Sequence, residues 1–330
     1  MVEEFGLSDS MKVEMRKIYS SGGSSYIITL PKRWVEENNL KVGDTVIMKI
    51  SEDAITITAR KDESKVKKTA TIDAKDLKSE FLIRRIISYY LAGYDTLRIK
   101  VYNEEHRRAA ALASDILIGA EIIEDLGKEI VFEIFLDDSR FKPDDIIEKM
   151  GNICISMVSD FCKVVKKLDR YICSSIQIRE NEVDRLHFLA LRLLKKAVKG
   201  GAVDIQPSKV LEYRTVVRAY ERIADHCANM AESLLKIERP IPEFCEFVDM
   251  VLSMLKMASV SFLRKDVELA DIVLEEFDEL SEKERDYYKL VLSDDVEVSL
   301  QLKTIFNSLV RVAGYSADIA EVVINMCVPD

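Results

Sequence analysis

The feature that most constrains the fold is an internal repeat in the C-terminal half of the chain. The segment AYERIADHCANMAESLLK at 219–236 aligns with SLVRVAGYSADIAEVVIN at 308–325, at an offset of 89 residues. The residues that are identical in the two segments are Arg222/Arg311, Ala224/Ala313, Ala228/Ala317, Ala231/Ala320 and Glu232/Glu321. The helices before them also correspond, because EVDRL at 182–186 matches EFDEL at 276–280. The repeat therefore predicts two similar helical units in tandem.

The spacing of apolar residues predicts helix throughout residues 143–330, with breaks at KGGAVDIQPSK, ERPIP and LSDDVE. The predicted helices cover 143–167, 169–199, 207–236, 242–265, 267–291 and 296–327. Helices of this length pack as bundles. We therefore expect two three-helix units, repeat one at 143–236 and repeat two at 242–327.

Two acid pairs stand out in repeat one. Glu180 and Asp184 are four residues apart, as are Glu221 and Asp225, so each pair shares one helical face. A loop at about 199–206 lies the same distance from both pairs, so two antiparallel helices place them at the same height. Four facing carboxylates repel one another unless a cation or solvent separates them, and hard oxygen ligands suit iron, manganese, magnesium or calcium.

An ordinary solvated face remains an alternative for this acidic stripe. Acid pairs at this spacing are common on exposed helices, where neighbouring arginines can pair with them. The arginines placed to do so are Arg179, Arg185, Arg218 and Arg222. His226 lies away from the stripe on the helical wheel, so we do not expect it to be a ligand.

The motifs ENEVD and ERIADHCANMAE, in duplicated three-helix units, resemble the PhoU family of phosphate-signalling proteins. In that family the acids of these motifs bind clusters of iron or other cations. The resemblance implies a divalent-metal or iron cluster in repeat one, with Glu180, Asp184, Glu221 and Asp225 as ligands. In repeat two, Val310 replaces Glu221 and Gly314 replaces Asp225, so no cluster is expected there.

After a short acidic tail at 1–10, residues 11–61 read as short strands with turns and one short helix. The order of a basic strand, the SSGGSS turn, YIITLPK, a short helix and VGD resembles the AbrB/SpoVT/MazE swapped-hairpin domain. That resemblance implies an intertwined dimer that binds DNA through basic residues near its N-terminus. The candidate DNA-binding residues are Lys12, Arg16, Lys17, Lys32 and Arg33.

Residues 62–140 predict a small α/β module with strands at TATIDA, TLRIKVY, AEIIEDL and KEIVFEIFL and two intervening helices. No phosphate-binding GxGxxG or P-loop motif occurs in it. The sequence leaves open whether this module is a spacer or a dimerising module. The whole chain is thus expected to be a multidomain α+β protein: a β hairpin domain, this α/β module and an all-α half.

Composition narrows the function classes. The net charge of −10 excludes a chain that coats nucleic acid along its whole surface, but leaves room for a local basic patch. The sequence contains no apolar stretch of about 18 residues, so no membrane-spanning helix is predicted. The six cysteines show no paired pattern, which predicts reduced thiols in a cytoplasmic protein.

Together these features predict a dimeric, non-enzymatic, DNA-binding regulator of phosphate uptake whose helical half senses phosphate status. The alternative is an adaptor without a DNA role, which docks on the ATPase subunit of a phosphate transporter or on a signalling protein and dimerises through the hairpin domain. A metalloenzyme is disfavoured, because no evident general base accompanies the acid pairs.

Overall fold

The computed structural model describes residues 14–23, 25–50, 55–59, 67–199, 203, 205–293 and 295–328. Lys12, one of the candidate DNA-binding residues, lies outside the described residues. The chain divides into an N-terminal unit, residues 1–66, and a C-terminal unit, residues 67–330.

The N-terminal unit is built from two short hairpins and one helix. Strands β1 and β2 pair antiparallel, as do β3 and β4, and helix α1 lies between the hairpins in sequence. Their bounds are β1 Tyr19–Ser21, β2 Ser25–Ile27, α1 Lys32–Glu37, β3 Val46–Ile50 and β4 Ile55–Ala59. Gly22 and Gly23 take positive φ angles of 63° and 80° in the first turn, a conformation that glycine adopts without steric cost.

The described residues of this unit form almost no core of their own. Ala59 is the one buried residue among those described between 14 and 59. Apolar side chains that would normally be covered are open to solvent, for example Met15 at 97% and Tyr26 at 81% of full exposure. A unit of this size buries little apolar surface by itself, and exposed apolar side chains of this kind are typical of an interaction surface.

The α/β module, which opens the C-terminal unit, is a four-stranded sheet with helices α2 and α3. The strands lie in the order β5-β6-β8-β7; β5 and β6 run parallel, and β8 is antiparallel to both of its neighbours. The bounds are β5 Thr69–Asp73, α2 Ser79–Leu91, β6 Thr96–Lys100, α3 Glu104–Ile116, β7 Ala120–Asp125 and β8 Glu129–Ile134. Leu82 and Ile86 of α2 join a buried cluster with Leu97, Ile99 and Phe132 of the sheet.

Six long helices form the remainder of the C-terminal unit. They are α4 Pro143–Lys166, α5 Arg170–Val198, α6 Val210–Ile237, α7 Cys245–Arg264, α8 Val267–Tyr287 and α9 Val296–Cys327. Pro143 occupies the first position of α4, where its missing N–H leaves no hydrogen bond unmade. The side chain of Asp169 caps α5 by accepting hydrogen bonds from the backbone N–H groups of Tyr171 and Ile172.

The predicted helices agree with the observed ones apart from three ends that form tighter 3₁₀ turns. Pro207–Lys209 precedes α6, Pro242–Phe244 precedes α7, and Tyr288–Val291 follows α8. The first two turns begin at a proline, which is favoured at the first position of a helical segment. The multidomain α+β fold expected from the sequence is confirmed.

The six helices pack as two three-helix units around a shared core. Helices α6 and α9 contact each other along the centre; α5 packs on α6, and α8 packs on α9. Helices α4 and α7 contact each other and join the two units. The apolar faces of all six merge into one continuous buried cluster. This arrangement creates two equivalent seams, one between α5 and α6 and one between α8 and α9.

A buried ion-pair network joins the α/β module to α5. Arg192 is 3% exposed, and its Nε donates a hydrogen bond to Asp138 Oδ1 at 3.1 Å. Its Nη1 donates to the backbone oxygen of Tyr90 at 2.6 Å, and its guanidinium lies 4.9 Å from the centre of the Tyr90 ring. Lys196 contacts the other oxygen of Asp138 at 3.0 Å. The module is thereby fixed to the helix that also carries Glu180 and Asp184.

Candidate metal centre

The seam between α5 and α6 brings together acids from both predicted pairs. Carboxylate oxygens of Glu180, Asp184 and Asp225 lie within 4.8 Å of one another. The first two come from α5 and the third from α6, as expected for antiparallel helices whose acid pairs stand at one height. Three carboxylates at this separation offer one oxygen each to a single cation.

Glu221, the fourth predicted ligand, lies beside this group but is not part of it. Its side chain is only 16% exposed, and its Oε2 lies 3.7 Å from Nε of Arg218 and 3.5 Å from Nε of Arg222. That oxygen is buried and accepts no hydrogen bond from the described residues. The Oε2 of Glu221 thus lies at ion-pair distance from two guanidinium groups but accepts no hydrogen bond from either.

Burial and mutual repulsion disfavour the charged forms of these acids. The pKa of Asp184 is raised to about 6, first by burial and then by the charges of Glu180 and Asp225. Burial and the charges of Asp225 and Glu221 also raise the pKa of Glu180. The pKa of Glu221 is raised by burial and by Asp225. The cluster is thus short of positive charge, even with arginines beside it.

These residues fit a hard cation. The donors are carboxylate oxygens from two packed helices, partly withdrawn from water, and the buried Oε2 of Glu221 accepts no hydrogen bond from the described residues. Oxygen donors of this kind bind Mg²⁺, Mn²⁺, Ca²⁺ and the iron of carboxylate-rich helical bundles. A cation here would lower the repulsion that raises the pKa values.

Of the arginines that could neutralise the acids, Arg222 contacts the cluster and Arg179 does not. Arg222 donates a hydrogen bond to Asp225 at 3.1 Å, as a solvated helix face would predict. Arg179 is directed away, because it bonds Ser156 at 2.6 Å and pairs with Asp160 on α4. Among the described residues, Glu180 and Asp184 have no ion pair with any basic side chain, so arginines alone do not balance the cluster.

His226 lies outside the acidic cluster, in agreement with the helical wheel. Its ring nitrogen Nδ1 is 3.2 Å from the hydroxyl of Ser308, and its ring centre is 6.0 Å from that of Tyr315. Both neighbours belong to α9, so His226 serves the contact between the two repeats.

The equivalent seam in repeat two is filled by an aromatic ring. A Cβ at Gly314, the counterpart of Asp225, would lie 3.8 Å from the ring of Phe277. Asp278 is exposed, whereas burial and the charge of Glu321 raise the pKa of Asp318. Among the side chains that the structure describes, the acids of this seam do not converge as they do in repeat one.

The candidate DNA-binding residues that are described lie on the surface of the N-terminal unit. Arg16 pairs with Glu14, and Lys17 is exposed. Lys32 and Arg33 stand in the first turn of α1 and pair with acids one turn on: Lys32 with Glu36 at 3.6 Å and Arg33 with Glu37 at 2.6 Å. All four remain accessible, because exposed pairs of this kind are weak and exchange readily with phosphates.

Sequence reasoning missed two buried polar residues of α5, His187 and Arg192. Both side chains are nearly inaccessible to solvent. Both follow the acid motif in α5, and the sequence alone does not show whether these positions face the core or the solvent. The sequence offered one weak indication, an arginine within the otherwise apolar run HFLALRLL. Such an arginine indicates either a buried ion pair or a position on the solvent face of the helix.

Two protein families match this chain. The PhoU domain matches residues 147–234 and 244–323, and the family described as antidote-toxin recognition MazE, bacterial antitoxin, matches residues 19–65. The first match repeats the division into two helical units, and together its two parts span just over half of the chain. A comparison with curated protein sequences finds no match.

One solved structure of a PhoU protein shares the helical fold. The crystal structure of PhoU from Pseudomonas aeruginosa aligns with a TM-score of 0.51 at 17% identity, covering 57% of this chain and 95% of that one. The phosphate transport system regulatory protein PhoU from Streptococcus pneumoniae aligns with a TM-score of 0.49 at 17% identity, covering 56% of this chain and 92% of that one. Among the described residues, every helix is too short or too polar to span a lipid bilayer.

Proposed function

Since this chain belongs to the PhoU family of phosphate-transport regulators, we propose that it controls phosphate uptake by binding DNA as a homodimer. PhoU-family regulators and the MazE-like domain are not enzymes, and this chain is not one. In this proposal the N-terminal unit contacts DNA, and the helical half senses phosphate status. The proposed place of action is the cytoplasm, where DNA is accessible.

The observation that carries the DNA-binding part is the surface of the N-terminal unit. Many of its described apolar side chains are exposed, which fits a hairpin domain completed by a second copy. Dimerisation would double the basic set of Lys12, Arg16, Lys17, Lys32 and Arg33. A doubled set of exposed cations suits the phosphate backbone of DNA, although the chain as a whole is acidic.

The helical half supports a cation-dependent sensor. We assign Glu180, Asp184 and Asp225 as ligands of a divalent cation or iron, and we propose that Glu221 joins them when the cation displaces Arg218 and Arg222 from its carboxylate. PhoU domains interact with transporters and signalling proteins. A phosphate-transporter ATPase or a signalling protein is accordingly the proposed protein partner of the helical half.

Electrophoretic shift with the DNA upstream of the protein's own gene tests the DNA-binding part. The triple substitution Lys12→Ala/Arg16→Ala/Lys17→Ala removes six positive charges from a dimer. Each lost phosphate contact lowers the slope of log affinity against log salt by about 0.9, so the salt dependence and the affinity should both fall. Lys41→Ala, an exposed lysine of the same unit, is the matched control and should bind as the wild type does.

Equal binding by the triple variant and the wild type would remove the proposed DNA surface. If the wild type fails to shift this DNA while remaining a dimer, the result favours the adaptor function. In that case the hairpin domain serves dimerisation alone, and pull-down with the transporter ATPase becomes the informative assay.

A further inference from the structure

Strand β5 of the α/β module has an open outer edge. It ends the sheet and pairs with β6 alone among the described strands. The Thr96 N–H donates to the carbonyl of Lys68 at 3.1 Å, and beyond the other end of β5 the Ala74 N–H donates to the carbonyl of Lys100 at 3.2 Å. Because alternate residues of a strand face the same neighbour, the residues between these bonds direct their N–H and C=O groups to the open edge. They are Thr69, Thr71 and Asp73.

The opposite edge of the sheet, β7, is protected against strand pairing. A bulge interrupts β7 between Ile122 and Glu124. The exposed side chains of Glu121, Glu124 and Asp125 add negative charge along the same strand. Bulges and edge charges both hinder edge-to-edge association. Strand β5 lacks this protection, because its pairing with β6 is regular and Asp73 is the one charged residue within it.

The sequence of β5, TATID, suits antiparallel pairing with a second copy of itself. A two-fold axis at Thr71 would place Thr71 opposite the same residue of the second copy and Thr69 opposite Asp73. These are hydrogen-bonded pairs, because all three residues direct their backbone groups outward. No like charges meet within the strand. Outside it Lys67 would lie opposite Lys75, but Lys67 is already paired with an acid of β8.

An exposed aromatic side chain lies beside the same edge. Helix α2 turns Leu82 and Ile86 toward the sheet, and its Ser79 and Ile83 line a cleft shared with α3. Phe81 lies on the remaining flank, away from α3, and is 48% exposed. Since α3 leads from β6 to β7, it lies toward the far side of the sheet, so this flank of α2 is on the side of β5. A second module docked on β5 would cover the ring.

We propose that a second copy of this chain pairs with β5, so that the sheets of two modules join into one. The occupant is a second copy because the proposed hairpin homodimer already brings one close. Strand β4 ends at Ala59 and β5 begins at Thr69, so the connection is short. A further contact between two chains that are already joined acts at a high effective concentration. The inference rests on the proposed homodimer and adds an interface that the hairpin domain does not contain.

Amide hydrogen exchange of the full-length protein, resolved to single residues, tests this pairing. The N–H groups of Thr69, Thr71 and Asp73 should exchange at least about a hundredfold more slowly than amides of an open edge, because a bonded amide exchanges only when the pair opens. The amides of Ala70 and Ile72, which bond to β6, report whether the module's own sheet is intact.

The substitution Thr71→Lys should abolish the slow exchange at the open edge. Its side chain is exposed and its N–H is not needed by the module's own sheet, so the module stays folded. Two lysines would meet at the two-fold axis, and like charges directly opposite each other destabilise a strand pair. Ala70 and Ile72 should stay protected. The control, Glu124→Gln on β7, makes the same change in net charge and should exchange as the wild type does.

Two results would overturn the pairing. One is fast exchange at Thr69, Thr71 and Asp73 in the wild type. The other is slow exchange that persists in Thr71→Lys, which would assign the edge to another segment of the same chain.

Sedimentation equilibrium and DNA binding separate this inference from the proposed function. A dimer whose β5 edge amides exchange fast would lose the β5 interface and keep the hairpin homodimer. Slow exchange that Thr71→Lys abolishes, in a protein that fails to shift DNA, would keep the β5 interface and count against the proposed regulator.

Discussion

The two seams of the helical half share one framework and differ in what fills it. Repeat one places Glu180, Asp184 and Asp225 between α5 and α6, whereas repeat two places the ring of Phe277 against Gly314 between α8 and α9. The small residues that let the helices approach are retained at Ala224/Ala313, Ala228/Ala317 and Ala231/Ala320. The alanines that pack the helices are therefore the same in both repeats. The acids of the first seam are not needed for this packing, because the second seam has an aromatic ring instead.

The comparison has a thermodynamic side. Repeat one keeps partly buried carboxylates whose pKa values are raised, which costs stability unless a cation or proton is bound. Repeat two replaces that arrangement with an apolar contact that needs no ligand. If repeat one binds a cation as proposed, its stability depends on that ligand, whereas the stability of repeat two does not.

The largest expected difference between the seams is in metal affinity. Asp184→Ala/Asp225→Ala should lower the affinity of repeat one for a divalent cation by at least about a hundredfold, because it removes carboxylates from both helices. The corresponding change in repeat two, Asp278→Ala/Asp318→Ala, should leave affinity unchanged. Calorimetry with Mn²⁺ and elemental analysis of the purified proteins measure both. Equal losses in the two double variants would break the comparison.

A smaller difference should appear in the pH dependence of stability without metal. The pKa of Asp184 rises from 3.8 to about 6 on folding, so the native state binds the proton more tightly than the unfolded chain. The free energy of unfolding should therefore fall as pH increases from about 4 to about 6, by about 1 kcal/mol after allowance for solvent screening.

Urea unfolding at a series of pH values measures this decline. Asp184→Asn should flatten it, since the variant cannot gain the charge, and Asp318→Asn in repeat two should remove less of it. A stability that rises across the same range, with metal removed, would contradict the proposed cost of charging the first seam.

The smallest expected effect concerns the glycine of the second seam. Gly314→Ala should raise the free energy of unfolding by about 0.5 kcal/mol, because alanine is the better helix former. The added Cβ would meet Phe277 at 3.8 Å, an ordinary contact. Gly151→Ala is the matched contrast: there the Cβ would approach the ring and hydroxyl of Tyr220 to 3.0 Å, so stability should fall. Thermal unfolding of both variants checks the two signs.

Much of the architecture could be predicted from sequence, because its signals are local. Apolar periodicity located all six long helices, and the prolines at 143, 207 and 242 marked starts to within a 3₁₀ turn. Both acid pairs lie the same number of residues from the loop between α5 and α6, so counting residues predicted that they lie at the same height along the two helices. That count correctly placed Glu180, Asp184 and Asp225 near one another.

Side-chain direction could not be predicted in the same way. Residue counting sets the height of Glu221 but not its competition with Arg218 and Arg222, which depends on the rotation of α6 about its axis. The ring of Phe277 over Gly314 likewise depends on how α8 is rotated. His187 was overlooked because its burial results from long-range packing and leaves no trace in local periodicity.

The buried contact between Arg192 and Asp138 limits how this protein can be taken apart. The boundary between the α/β module and the helices looks like a natural place to cut or recombine the chain. A cut there would leave the guanidinium of Arg192 inside the protein without its carboxylate, and an uncompensated buried charge is strongly destabilising. The module and the six helices are consequently expected to fold as one block, and residue 67, where the second compact unit begins, is the better place to divide the chain.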